Sequence, residues 1–294
     1  MMSTLEQKLR NFIDWCENGT DPRSKDWPLI QTPWVTYGAV VAYLIIVWQG
    51  PKFMAKRKPF DLRQFMILYN AFLVVLSAYM FQLFLRSAWP RPGFSWACAK
   101  MDYSDDPSAV MLAKACWWFF FSKLIEFMDT FIFILRKKNN QISFLHVYHH
   151  TTMPMLWWIG VKWVPGGQAF FSAMINCFVH TVMYGYYLLA AMGPRVQPFL
   201  WWKKYITSLQ LAQFVIVMIQ TILSLYIDCG YPRIVLYALA VYMVSHIILF
   251  GNFFNKTYRQ PRTKAAASKE VNGQTNEVSN GYVLRKRQHT RLDS

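Results

Sequence analysis

The stretch of residues 143–160, SFLHVYHHTTMPMLWWIG, places three histidines within five positions and then continues into apolar and aromatic residues. On a helix, His146, His149 and His150 stand at positions i, i+3 and i+4, so they share one face. The apolar residues that follow are typical of a helix that crosses a membrane, where a polar or ionisable side chain is costly and needs a reason. Three imidazoles on one face can hold a metal, bind an anion or take part in a reaction.

The composition of the whole chain is that of an integral membrane protein. Of its 294 residues, 54% are hydrophobic and 18% are aromatic, which is too apolar for an ordinary soluble domain. The predicted fold class is all-α, with seven transmembrane helices between a segment 1–31 and a basic tail 255–294 that is predicted to be disordered. Seven apolar stretches have the roughly 20 residues that a helix needs to cross a bilayer: 32–50, 64–85, 110–134, 144–163, 168–191, 205–226 and 233–254.

The distribution of basic residues predicts how the chain is oriented in the membrane. Lysine and arginine are concentrated after the first, third and fifth predicted helices and in the tail, and such loops stay in the cytosol. The N-terminus is therefore predicted to be lumenal and the C-terminus cytosolic. Asn18 opens an Asn-Gly-Thr sequon on the lumenal side and is a predicted glycosylation site. Cys98 and Cys229 lie in predicted lumenal loops, where a disulfide can form; Cys16 is the alternative partner of either.

Polar residues recur at helical spacing inside three further predicted spans, where they form a polar stripe along each helix. Placing each of them in lipid is energetically costly, so their presence calls for an explanation. The stripes begin near the cytosolic ends of the helices, which predicts a polar chamber open to the cytosol. Internal ion pairing, hydrogen bonds between helices and an aromatic interface belt are the purely structural alternatives. The residues of the three stripes are Lys123, Glu126 and Asp129; Asn176, His180, Tyr184 and Tyr187; and Thr207, Gln210 and Gln213.

The number of histidines bears on whether the site holds a metal. The chain has six, of which His289 lies in the tail and His246 is interpreted as a packing residue of the last helix. The remaining four are too few for the histidine-rich di-iron site of a membrane oxidase or desaturase, although with two acids they suffice for one zinc or iron. Metal-free acyl chemistry fits the residues better, because imidazole acts both as a general base and as a nucleophile. A seven-helix receptor or transporter is the other alternative.

Four motifs carry a specific resemblance. KLIEFMDT (123–130), HVYHH (146–150), NCFVHTVMYGYY (176–187) and TSLQLAQF (207–214) resemble, in order, the four signature boxes of the ELO family of very-long-chain fatty acid elongases. The likeness covers roughly residues 27–258, and two stretches, ILRKKNNQISFLHVYHH and WWIGVKWVPGGQAFF, are most similar to the type-4 vertebrate members.

The resemblance implies a 3-oxoacyl-CoA synthase of the endoplasmic reticulum membrane. Such an enzyme condenses malonyl-CoA with a long-chain acyl-CoA, releases CO2 and CoA, and needs neither a metal nor a cofactor. In the family fold, six of the seven helices surround a tunnel for the acyl chain that opens to the cytosol. A homodimer and the later enzymes of the elongation cycle are implied partners, and no nucleic acid is expected.

The resemblance and the side-chain chemistry together predict a role for each residue. His149 would attack the acyl-CoA thioester in a ping-pong reaction; in the alternative ternary mechanism a histidine acts only as a base. His150 and His180 would move protons, with His146 beside them. Asn176 and Gln210 would stabilise oxyanions, Glu126 or Asp129 would orient an imidazole, and Lys123 would balance their charge. The predicted substrate-binding residues are Gln210, Gln213, Tyr184, Tyr187 and Thr207, with Lys137, Lys138, Lys203 and Lys204 for the CoA phosphates, although membrane topology alone also explains these lysines.

Overall fold

The computed structural model describes residues 6, 7, 10, 14, 19–89, 95–228 and 230–259. Within these residues the chain forms helices, turns and loops and no strand. Short 3-10 helices, Asn139–Gln141 and Gln197–Phe199, lie in two of the connections. The α-helices of the described part are α1 Pro33–Met54, α2 Arg63–Ala88, α3 Pro107–Ile125, α4 Phe127–Leu135, α5 Phe144–Trp163, α6 Ala169–Ala191, α7 Lys203–Ile227 and α8 Arg233–Phe254.

The chain divides into two compact units, Met1–Asn252 and Phe253–Ser294. The first unit contains all the candidate site residues and most of the helical structure. In the second unit the backbone of Asn255–Arg259 forms a π-helical turn.

The α-helices of the described part agree in position with the predicted spans, with one exception described below. Four segments of the described part are long and apolar enough to cross a membrane: Pro33–Met54, Arg63–Ala88, Lys203–Ile227 and Arg233–Tyr258. The chain is therefore a multi-pass membrane protein whose described part is all-helical. The other three predicted spans are helical as well, but their crossing of the bilayer remains a prediction.

The third predicted span, 110–134, is not one continuous helix, and that prediction is wrong at Glu126. The helix α3 ends at Ile125 and α4 begins at Phe127. At the break the amide of Asp129 bonds to the carbonyl of Glu126 at 3.1 Å, three residues back rather than four. The Glu126 side chain is held in the interior by partners described below, and helical periodicity alone does not reveal this interruption.

The main core lies between α2, α3, α5 and α6. Leu73 and Phe84 of α2 pack with Phe119 of α3, Trp158 of α5 and Phe170 of α6, and all five side chains are buried. The helix α2 makes its most extensive contacts with α6. This packing places the polar faces of α3 and α6, with Lys123 and Asn176, next to one another.

The segment before α1 packs against the C-terminal end of α5, at the opposite end of that helix from the histidines. The amide of Asp21 donates to the carbonyl of Lys162 at 2.9 Å, and the Ser24 hydroxyl donates to the carbonyl of Val161 at 2.7 Å. The indole of Trp158 donates to the carbonyl of Leu29 at 2.8 Å. The first two bonds satisfy carbonyl groups that would otherwise be unpaired at the end of α5.

Cys98 forms a disulfide bond. Its predicted partner Cys229, the alternative Cys16 and the sequon residue Asn18 lie outside the described residues. The pairing and the glycosylation therefore remain predictions.

The connection between α5 and α6 contains a glycine in a confined position. Gly167 has a φ of +50°, and a Cβ atom there would lie 2.9 Å from the Tyr231 ring and 3.2 Å from the Met101 backbone. We expect Gly167→Ala to destabilise the fold by about 1–3 kcal/mol through overpacking and to lower the midpoint of thermal unfolding in detergent. The control is Gly160→Ala in α5, where a Cβ meets nothing within 4 Å. Equal unfolding midpoints for the two variants would contradict this account of the α5–α6 connection.

Candidate active site

A buried ion pair lies at the break between α3 and α4. Lys123 Nζ is 2.8 Å from Glu126 Oε1, and each side chain is only 2% exposed. Lys123 also donates to Asn176 Oδ1 of α6 at 3.2 Å, and His180 Nδ1 lies 3.3 Å from Glu126 Oε1. Burial of a charge is tolerated when the charge is paired in this way. The predicted stripes of the third and fifth spans thus form one connected group.

Two polar groups of this cluster, one donor and one acceptor, are able to bond to a substrate. Because Asn176 Oδ1 accepts the bond from Lys123, the NH2 end of the amide is oriented as a donor. Glu126 Oε2 is buried and has no hydrogen-bond partner among the described residues. A buried polar atom without a partner is uncommon and calls for an explanation, such as a role in catalysis.

The histidine box begins at the first turn of α5. The Ser143 hydroxyl caps this helix by accepting a bond from the His146 amide at 3.2 Å. The ring centroids of His146 and His150 are 4.2 Å apart, and those of His149 and His150 are 5.3 Å apart. The predicted clustering of the three imidazoles is therefore present in the structure.

His146 is held by the hydroxyl group of Thr130, which in turn contacts a second hydroxyl group. Its Nε2 atom is 2.7 Å from Thr130 Oγ1 in α4, and that oxygen is 3.1 Å from the hydroxyl of Tyr43 in α1. Thr130 stands four residues after Glu126, which touches His180, so adjacent turns around the α3–α4 break contact both histidine groups. Sequence reasoning did not assign Tyr43 or Thr130 a role; Thr130 was visible as the last residue of the first motif, whereas no motif marks Tyr43.

The two acidic residues have different partners. Glu126 contacts an imidazole, as predicted for one of the two carboxylates. Asp129 instead accepts a hydrogen bond from the Tyr184 hydroxyl at 2.7 Å. Tyr184 is buried, whereas Tyr187 is 40% exposed and its ring centroid is 6.0 Å from that of Tyr184.

Within the described residues, no hydrogen bond of Gln210 or Gln213 in α7 to the polar groups described above is observed. Gln210 donates to the sulfur of Met183 at 3.4 Å, and no contact of its amide with a histidine is observed within the described residues. Gln213 and Thr207 are buried, and Gln213 Oε1 has no hydrogen-bond partner in the part of the chain described.

One histidine that sequence reasoning treated as a packing residue lies in the cluster. The ring centroid of His246, in α8, is 5.8 Å from that of His149. Its separation from the histidine box along the chain, 96 residues from His150, gave no signal. Across the described residues, no group of three or more His, Cys, Asp or Glu side chains has an arrangement suited to a metal ion.

Comparison with known proteins identifies the family. Residues 28–266 match the model of the ELO: GNS1/SUR4 family. The chain belongs to the ELO family. It is 49% identical to very long chain fatty acid elongase 4 of Mus musculus over 273 residues, 92% of this chain and 87% of that protein. It is 48% identical to the Homo sapiens elongase 4, over 93% of this chain and 87% of that one, and 43% identical to elongase 5 of Xenopus laevis, over 96% and 94%.

The lysines predicted to bind substrate phosphates lie in exposed parts of this ELO protein. Lys138, Lys203 and Lys204 are exposed. Lys137 is also exposed, but its ammonium group donates to the carbonyls of Ala55 and Arg57 at 2.9 and 3.1 Å. Lys137 therefore stabilises the chain segment after α1, whatever else it binds.

Proposed function

We propose that this chain is a very long chain 3-oxoacyl-CoA synthase, which condenses malonyl-CoA with a long or very long chain acyl-CoA. The products are a 3-oxoacyl-CoA two carbons longer, CO2 and CoA. The observation that carries this proposal is the identity of 48–49% to elongase 4 proteins over more than nine-tenths of the chain. The buried polar cluster of α3 to α6 supplies the side chains that such a reaction needs.

The proposed mechanism has two steps. A ring nitrogen of His149 attacks the thioester carbonyl carbon, the carbon–sulfur bond breaks, and CoA leaves as the thiolate, giving an acyl-imidazole. Malonyl-CoA then loses CO2 to form an enolate, whose carbon attacks the acyl group and releases His149. The Asn176 amide donates to the developing oxyanion, and His150 and His180 assist in proton transfer. In the ternary alternative, the enolate attacks the acyl-CoA directly and a histidine serves only as a base.

The reaction requires no metal or cofactor in this proposal. Every step above is an acyl transfer or a decarboxylation that imidazole and hydrogen-bond donors can support. We expect incubation with a chelator followed by desalting to leave the elongation rate unchanged, and metal analysis of the active protein to find no stoichiometric zinc or iron. A chelator-sensitive activity restored by one metal would favour the metal-dependent alternative.

The substrate path follows from the same proposal. Six helices surround a tunnel that holds the acyl chain, and CoA binds at the cytosolic mouth, where Lys137, Lys138, Lys203 and Lys204 attract its phosphates. Gln210, Gln213, Thr207, Tyr184 and Tyr187 line the entrance. All four lysines are exposed, as binding of a soluble substrate group requires.

The proposed location is the endoplasmic reticulum membrane, with segment 1–31 lumenal and tail 255–294 cytosolic. The protein acts there beside the later enzymes of the elongation cycle, and a homodimer is the proposed assembly. The basic tail, with nine Lys/Arg against three acidic residues, is placed next to anionic lipid.

The orientation predicts glycosylation of Asn18. In cells that glycosylate secreted proteins, the parent chain is expected to migrate faster on a denaturing gel after removal of N-glycans. Asn18→Gln should migrate with the deglycosylated form before and after treatment. An unglycosylated parent protein whose N-terminus lies on the cytosolic side of the membrane would contradict the predicted orientation.

Incorporation of labelled malonyl-CoA tests the function. The purified protein in detergent or vesicles, given long-chain acyl-CoA and [2-14C]malonyl-CoA, should form labelled 3-oxoacyl-CoA. Omission of the acyl-CoA is the control. The absence of any two-carbon extension across saturated and polyunsaturated acyl-CoA substrates would contradict the proposal.

A further inference from the structure

His246 occupies a fully buried position beside the histidine box. Its side chain is in α8, has 0% exposure and lies against Tyr242, Phe214 and Tyr148, with ring centroids 4.2, 5.1 and 5.5 Å away. The His149 ring meets it edge to face at 5.8 Å. A buried imidazole among aromatic rings is explicable as packing only if its polar atoms are satisfied.

Two hydrogen bonds fix the register of α8 against α5 around this contact. The hydroxyl of Tyr148 is 3.0 Å from Ser245 Oγ, and Thr152 Oγ1 is 2.8 Å from the hydroxyl of Tyr242. Tyr148 and Thr152 are one helical turn apart and flank His149 in the sequence. The position of His246 relative to His149 is therefore set by specific contacts on both sides.

The hydrogen bonding of His246 determines which ring nitrogen carries its proton. Nδ1 lies 2.9 Å from the backbone carbonyl oxygen of Tyr242. A carbonyl oxygen only accepts, so in the neutral ring Nδ1 is the donor and Nε2 carries the lone pair. Nε2 is buried and has no hydrogen-bond partner among the described residues. His246 thus has an open proton acceptor in the interior, on a ring that contacts the ring of the proposed nucleophile.

We propose that His246 Nε2 takes the ring proton of His149 when the acyl group is transferred, and returns it when the acyl group leaves. This inference rests on the proposed covalent mechanism. When one His149 nitrogen bonds to the acyl carbon, the proton on the other nitrogen moves to His246, and the acyl-imidazole is neutral. CoA departs as thiolate and is protonated by water. When the enolate takes the acyl group, the carbon–nitrogen bond breaks and His246 returns the proton, restoring neutral His149.

The geometry favours His246 over the neighbouring imidazole of His150 for this role. The His150 ring lies against His146 at 4.2 Å, and His146 is itself held by Thr130. Only His246 combines contact with His149, a tautomer fixed by a carbonyl and an unpaired nitrogen among the described histidines. The ring centroids are 5.8 Å apart, and in the proposed step the proton crosses between the rings directly or through one water molecule.

The variant His246→Asn separates a proton-transfer role from a structural one. The asparagine amide can still donate to the Tyr242 carbonyl, as Nδ1 does, but nothing replaces Nε2. In rapid-quench experiments with the full-length protein, we expect formation of the His149 adduct and its discharge by malonyl-CoA both to slow about 100-fold or more, with the KM for acyl-CoA unchanged. His246→Gln, which places an amide rather than a base near the Nε2 position, should be equally slow and serves if the asparagine variant does not fold. Tyr237→Phe, on the exposed side of α8, is the control and should keep the parent rates.

The outcomes distinguish this inference from the function on which it rests. Adduct formation and discharge within threefold of the parent rates in a folded His246→Asn or His246→Gln protein would overturn the proton transfer and leave His246 a packing residue. A parent that makes 3-oxo product without ever forming the adduct would overturn the proton transfer while leaving the elongase function in place. A parent that makes neither adduct nor product would overturn both.

Discussion

Replacing His149 with glutamine is expected to lower the elongation rate by at least about 1,000-fold, because the variant lacks the group that forms the covalent bond. The fold should survive, since the His149 side chain makes no hydrogen bond within the described residues and contacts its neighbours through its ring. Initial rates with labelled malonyl-CoA, together with the thermal unfolding midpoint in detergent, measure the two quantities separately.

The matched control is the same substitution one turn earlier. In His146→Gln the amide nitrogen can occupy the position of Nε2 and keep the contact with Thr130 Oγ1, which is 2.7 Å long in the parent. A group that positions its neighbours should tolerate this change far better than a nucleophile does. If the two variants lost activity equally, or if His149→Gln stayed within tenfold of the parent, His149 would not be the nucleophile.

The second large effect concerns stability. Lys123→Met leaves the Glu126 carboxylate buried beside His180 alone, and Glu126→Gln leaves the Lys123 ammonium group with only Asn176. We expect each single change to destabilise the protein by about 3–5 kcal/mol, because an unpaired charge is then buried. The double variant should recover most of the lost stability, while its elongation rate remains low because the carboxylate that contacts His180 is gone.

An exposed ion pair is the natural control for this experiment. Arg233 and Asp228 are 2.9 Å apart, but their side chains are 57% and 61% exposed. Arg233→Met should therefore cost less than about 1 kcal/mol. The assigned role of the buried pair would be contradicted if Lys123→Met or Glu126→Gln lowered the unfolding midpoint no more than Arg233→Met does. A double variant no more stable than the single variants would contradict it as well.

Helix positions could be predicted from the sequence to a large extent. The predicted span 144–163 coincides with α5, and the span 233–254 coincides with α8. Apolar runs of membrane length bounded by polar or Gly/Pro residues are a strong local signal. The break at Glu126 was missed because the run 110–134 is predominantly apolar apart from its polar stripe, and helical periodicity carries no signal for an interruption at one residue.

The candidate site could likewise be predicted only where the signal lies within one helix. Residues that repeat at helical spacing within one span, such as His146, His149 and His150, could be assigned to one face before the structure was known. Tyr43 and His246 could not, since each reaches the cluster from a distant part of the chain through tertiary packing. A single histidine or tyrosine in an apolar helix carries no local signal that separates a packing residue from a functional one.

Peptide mass spectrometry after incubation with a long-chain acyl-CoA, in the absence of malonyl-CoA, tests the central claim most directly. The account predicts an acyl adduct on His149 that is absent from His149→Gln and disappears on addition of malonyl-CoA as the 3-oxo product forms. Product formation with both substrates present, but no adduct on His149 at any time with acyl-CoA alone, would contradict the covalent mechanism and leave histidine as a base in a ternary complex.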